Sequence, residues 1–118
     1  MNSVTFVHTL GDTDPLLFRL TRDGVPAPYL DTAESILITM WTIHDPSNIV
    51  IEDGVCEEVT TEYGAGAVKF DWAGVNWTNF PAGLTHAKIV VQLPAEQKTY
   101  PTTSGKNKMI VDFIEGAP

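Results

Sequence analysis

The sequence predicts an all-β fold, an immunoglobulin-like antiparallel β-sandwich of about seven to nine short strands. Three observations carry this. Val, Ile and Thr number 11, 8 and 14, or 33 of 118 residues, and β-branched side chains fit a pleated sheet better than a helix. Short apolar runs recur between turn residues, at the spacing of a sandwich or barrel. Several of these runs alternate apolar and polar residues with period two, and no segment carries a helical period. A chain of 118 residues and 12.9 kDa suits one domain, 1–118, that buries roughly two-thirds of its unfolded surface.

Val4 to His8 reads as the first strand, broken by Gly11-Asp12-Thr13-Asp14-Pro15. Leu16, Phe18 and Leu20 then alternate with Leu17, Arg19 and Thr21, the pattern of a half-buried strand. Asp23-Gly24 marks a turn. Val25 to Leu30 contains Pro26 and Pro28, so it is expected as an extended connection or an edge, outside regular ladder pairing. Ser35 to Ile43 is the longest apolar strand. Ile36, Ile38 and Met40 form one face; Leu37, Thr39, Trp41 and Ile43 form the other. Two such faces place it centrally, or with its outer face against a partner.

Asp45-Pro46-Ser47-Asn48 turns the chain. Ile49 to Ile51 and Val55 to Thr61 flank Asp53-Gly54, which reads as a hairpin, and Gly64-Ala65-Gly66 is a further turn. Val68, Phe70 and Trp72 alternate with Lys69 and Asp71; Ala87, Ile89, Val91 and Leu93 do the same against Lys88 and Gln92. Ala73 to Leu84 between them is a loop rich in Asn, Gly and Pro. Lys98 to Pro101 is a short extended piece, Ser104-Gly105-Lys106 a hairpin turn, and Met109, Val111 and Phe113 the last strand.

The formal net charge is −8 and the sequence pI about 4.6. Seven scattered Lys and Arg cannot release counterions from a phosphate backbone or hold an anionic bilayer, so neither nucleic acid nor membrane is an expected partner. Cys56 is the only cysteine, which excludes an internal disulfide and fits a reducing compartment or assembly inside a cell. Its neighbours Glu57 and Glu58 disfavour a thiolate, so Cys56 reads as a strand residue. The N-terminus has no basic segment followed by an apolar one, so no secretion signal is expected. The uncharged run Ser35–Ile43 is far below the roughly 20 residues of a spanning helix.

Catalytic patterns are lacking. His8, His44 and His86 each stand alone, without the close partner that a zinc site on one element needs, so no metal is expected. Asp12-Thr13-Asp14 begins like a calcium loop but has no glycine at its sixth position and no terminal glutamate; an Asx turn accounts for it. Glu57 and Glu58 are adjacent on a strand and point to opposite faces, so they cannot flank one scissile bond. There is no nucleophile elbow and no phosphate loop. The chain is therefore expected to be no enzyme and to need no cofactor. Asn76-Trp77-Thr78 matches a glycosylation sequon, read as chance without a leader.

Trp77 and Phe80, in the Asn/Gly/Pro-bordered loop, are the leading interface candidates, because bulky aromatics are not needed there for a ladder. They equally suit a plug at the end of the sandwich. Tyr29 and Tyr100, beside proline-bearing segments, are secondary candidates of the same kind.

In order along the chain stand Gly11-Asp12, Asp23-Gly24, Leu30-Asp31-Thr32-Ala33, Gly66-Ala67-Val68-Lys69-Phe70-Asp71-Trp72, Pro81-Ala82-Gly83 and Thr99-Tyr100-Pro101. This ordered set resembles the N-terminal domain of tailed-bacteriophage baseplate upper proteins. The resemblance implies an immunoglobulin-like sandwich that attaches other parts to the tail tip and has no catalytic residues to carry over. Members of that family continue into a linker and a receptor-binding part, whereas this sequence ends at Pro118 soon after its last strand. The expectation is a non-enzymatic virion structural protein of baseplate or tail adaptor type, assembled in the host cytoplasm. Its partners would be copies of itself and other phage structural proteins. A carbohydrate-binding module, with Trp77, Phe80 and Tyr100 stacking on sugar rings, and a head cement protein are the alternatives. Met1–Ser3 and Gly116–Pro118 carry no packing signal and could order against neighbours.

Overall fold

The computed structural model describes residues 4–22, 24–101 and 108–115. Asp23, the turn expected at 104–106 and the termini 1–3 and 116–118 lie outside the described residues. Among the described residues, strands take up 53% and helix 7%, an all-β structure. The strands are β1 (Val4–Thr9), β2 (Leu16–Arg19), β3 (Thr21–Arg22), β4 (Val25–Pro26), β5 (Ser35–Thr42), β6 (Ile49–Glu58), β7 (Ala67–Phe70), β8 (Gly83–Gln92), β9 (Gln97–Tyr100) and β10 (Met109–Ile114).

One sheet runs β1-β10-β8-β5-β6-β7-β2, with β9 also on β8, and β3-β4 forms a separate ribbon. The long sheet curls into two layers because β6 serves both. Its first part pairs with β5, and Cys56–Glu58 pair with β7. The layers then close on each other. Phe6 of β1 meets Phe18 of β2 edge-on at 4.8 Å, and Trp72 meets Phe113 at 5.7 Å. The core between them is the alternating set that the period-two pattern selects: Phe18, Leu20, Val68 and Trp72 from one layer, Ile38, Met40, Ile89, Val91, Val111 and Phe113 from the other. Thr85 is a polar residue buried among these, and its hydroxyl donates to the Val111 carbonyl at 2.9 Å, which satisfies the buried group.

Several expectations are corrected. Asp53-Gly54 is not a hairpin: β6 runs continuously through it. Between the pairs Ile38–Gly54 and Met40–Ile51, β6 uses one residue more than β5, the count of a β-bulge. Asp53 takes φ 52, a left-handed value that Asp tolerates. A bulge uses that tolerance as readily as a turn does. Gly54 is there for space, since a Cβ would lie 2.6 Å from Phe70 Cε1 and 3.0 Å from Ile51 Cγ2.

The strand expected to reach Thr61 ends at Glu58 and gives way to one helical turn, α1 (Thr60–Tyr63). The Glu58 carboxylate accepts bonds from the Thr60 hydroxyl and from its backbone N–H, so the chain turns locally instead of continuing the ladder. Pro26 does enter a ladder, opposite Thr21, but that ribbon is only two residues long. The strand from Leu16 breaks at Leu20, whose N–H bonds the Gly66 carbonyl at 2.8 Å. Finally, β1 pairs with β10 in parallel, so the layout is not wholly antiparallel.

Candidate functional site

Beneath the loop that joins β7 to β8 lies an aromatic cluster. The His8 ring stacks on Trp72 at 4.3 Å and lies parallel to Trp77 at 5.9 Å. Phe80 meets Trp77 at 4.9 Å and Phe113 at 4.8 Å. His8 is only 5% exposed, and its Nε2 donates to the Asp12 carbonyl at 2.8 Å. A carbonyl can only accept, so Nε2 carries the proton. Asp12 Oδ1 in turn accepts from the Asp14 N–H at 3.0 Å, an Asx turn that fixes this corner. Trp77 and Phe80 are half-buried and packed against the core, at the end of the sandwich. The Asn76 side chain caps its own turn by accepting from the Thr78 N–H at 2.9 Å.

The other two candidates separate sharply. Tyr29 is 69% exposed, with left-handed backbone at φ 62. Tyr100 is 3% exposed, its ring covered by the Arg22 guanidinium at 5.1 Å, and is not available at the surface. The four sequence candidates therefore form no single patch. Trp77 and Phe80 belong together; Tyr29 and Tyr100 lie elsewhere.

A larger surface feature is the outer face of the β1-β10-β8-β5-β6 layer. Cross-strand pairing lines up Val55, Leu37 and Val90 in one row, and Ile49, Trp41, His86 and Ile110 in another. The Trp41 ring meets His86 edge-on at 5.9 Å. Val55 is 75% exposed and Val7 61%; Ile49 and Leu84 are also exposed. A run of this kind on an outward sheet face is uncommon in a monomer that stays alone. The sequence hinted at it in two places only. One is the second apolar face of β5; the other is Val90, which interrupts the polar series between Lys88 and Gln92.

That face carries charges of both signs: Lys88 on β8, and Asp112 on β10, which pairs with Val7 and Leu84. His86 and Lys88 point outward from β8, and Lys108 lies close enough to act on His86. Burial first, and the Lys108 ammonium second, hold the His86 pKa below its ordinary 6.5. Lys69 instead lies 3.6 Å from Glu57, Lys98 lies 3.2 Å from Glu96, and Arg19 is bound to the Ala65 and Tyr63 carbonyls.

Elsewhere the chemistry is quiet. Burial pushes the Cys56 thiol up to about 12, which leaves it a poor nucleophile near neutrality. Among the described residues, no three His, Cys, Asp or Glu gather as a metal site. His44 is exposed in a turn after β5. No protein-family model, no curated protein and no solved structure matches this chain.

Proposed function

We propose that this chain is a non-enzymatic structural protein of a tailed-bacteriophage virion, an adaptor of baseplate or tail type that works by protein–protein assembly. The resemblance in motif order suggests the setting. The observation that carries an assembly role is the apolar outer face, with Val7, Trp41, Ile49, Val55 and Leu84 uncovered or half-covered. The charges favour one occupant, a neighbouring copy docked head to tail. Lys88 stands on this face and Lys108 close to His86, while the whole chain is at −8. Each copy thus sets Lys88 against the net-acidic surface of the next, and a contact between different faces closes into a ring when its rotation permits.

The carbohydrate-binding alternative is weaker. Sugar stacking needs exposed rings, whereas Tyr100 is buried and Trp77 and Phe80 pack on His8, Trp72 and Phe113. The test has two parts. Mass spectrometry of purified particles should detect the protein, and its absence from mature virions would overturn the virion reading. Light scattering should give the mass of an oligomer that Lys88→Glu dissociates. A monomer at high concentration would remove the outer face as the assembly surface.

A further inference from the structure

Where β6 leaves one layer for the other, the sheet opens. The β6–β7 ladder stops at Cys56–Phe70, and the earlier part of β6 pairs only with β5. Its other edge is unpaired and forms one wall of a groove of about 460 Å³. The opposite wall is Phe70 and the turn that follows it, through Gly74, Val75 and Asn76. That turn is held by the Asp71 carboxylate, which accepts from the Ala73 N–H at 3.0 Å, and by the Val75 N–H bonded to the Trp72 carbonyl at 2.9 Å. The floor is apolar: Ile51 and Phe70 are buried, and Val50 and Val75 are half-buried. The charged lining residues are Glu52 and Asp71, both exposed carboxylates, and no cation lines the groove.

We infer that this groove accepts an extended segment of a partner protein by strand addition, with a small apolar side chain over Ile51, Phe70 and Val75 flanked by lysine or arginine. Three features select that occupant. An open strand edge supplies main-chain donors and acceptors, as in other cases of strand capture. The volume lies within the range of binding clefts, and its lining mixes apolar Ile51, Phe70 and Val75 with polar side chains. The two carboxylates attract a basic segment and repel an acidic one, including a segment resembling this chain's own acidic surface. The bulge at Asp53 bends the edge away, and a second register shift falls between Ile49 and Ile51, so the added ladder is short and lies within Ile49–Glu52. The site borders the face invoked for self-assembly, since Val55 lines the groove and also stands in that face's first row; Lys88 lies outside the groove, so Lys88→Glu should leave peptide binding unchanged and tells the two apart.

Fluorescence anisotropy of a labelled peptide of about seven residues, valine or isoleucine alternating with lysine, tests this in the full chain. A second peptide replaces lysine with glutamate. The expected result is saturable binding of the basic peptide, at least about tenfold weaker with the acidic one or with the Glu52→Lys protein. Amide exchange should slow over Ile49–Glu52 when the peptide binds. Because Glu52 is exposed, the Glu52→Lys protein should fold, which its unfolding curve will confirm. Equal binding of both peptides, binding unchanged by Glu52→Lys, or protection confined to β1 or β2 would each overturn the assignment.

Discussion

Replacing Gly54 by alanine tests the packing where the two layers meet. The new methyl carbon would stand 2.6 Å from Phe70 Cε1, 3.0 Å from Ile51 Cγ2 and 3.2 Å from Ile38 Cγ2. Carbon pairs prefer about 3.5–4.0 Å, so the nearest overlap approaches 1 Å. Moving the Phe70 ring toward the groove would break its packing on Trp72. Phe70 is 4% exposed and held edge-on to Trp72 at 4.9 Å. Overpacking of this kind costs about 1–3 kcal/mol, a large share of the 5–15 kcal/mol typical of a domain. Urea unfolding followed by tryptophan fluorescence would measure it, and Tm should fall by about 4 °C per kcal/mol. Phe70→Leu withdraws the closest atom. Gly54→Ala should therefore cost less in that background, with a coupling of about 0.5–3 kcal/mol. A change under about 0.5 kcal/mol for Gly54→Ala, or strict additivity of the two substitutions, would refute the contact. It would also return Asp53-Gly54 to an ordinary exposed turn.

Three further outcomes are expected. Trp72→Ala should cost about 3–5 kcal/mol as a buried truncation, whereas Lys69→Ala, whose ion pair with Glu57 is exposed, should stay within about 0.5 kcal/mol; comparable losses in urea melts would break the register. Cys56 should resist a disulfide-exchange reagent at neutral pH in the folded protein and react once urea unfolds it, because burial raises its pKa to about 12; rapid labelling of folded protein counts against its placement. Because the folded pKa of His86 lies below 6.5, the folded state favours the neutral ring. Its contribution to stability is complete above 6.5, declines as pH falls through that value and levels out below the folded pKa. Stability curves of wild type and His86→Gln should therefore diverge on the acid side of 6.5, and parallel curves would contradict the shift.

How far the fold could be read in advance depended on range. Val68, Phe70 and Trp72, and Ala87, Ile89, Val91 and Leu93, alternate so strictly with their neighbours that these inward sets were legible from spacing alone, and each of these residues is buried. Asp53-Gly54 misled because one backbone preference serves turns and bulges alike. The difference lies in β5, whose Ile38 and Met40 take up the two halves of β6 as one strand. The parallel β1–β10 ladder joins residues about a hundred positions apart, and no local pattern encodes such a pairing. Trp77 and Phe80 were visible as conspicuous loop aromatics, but their half-buried packing depends on His8, Trp72 and Phe113.

Composition and period two by themselves determined an all-β chain, the inward residues of its best strands and an acidic surface without a basic stripe, since each follows from side-chain chemistry one or two residues at a time. Tertiary structure alone decided which outward residues share a face, that Tyr100 is covered while Tyr29 is not, and that β6 leaves an open edge beside two carboxylates. Those properties arise only when strands distant in sequence are set about 5 Å apart, because a surface patch or a groove belongs to several segments at once.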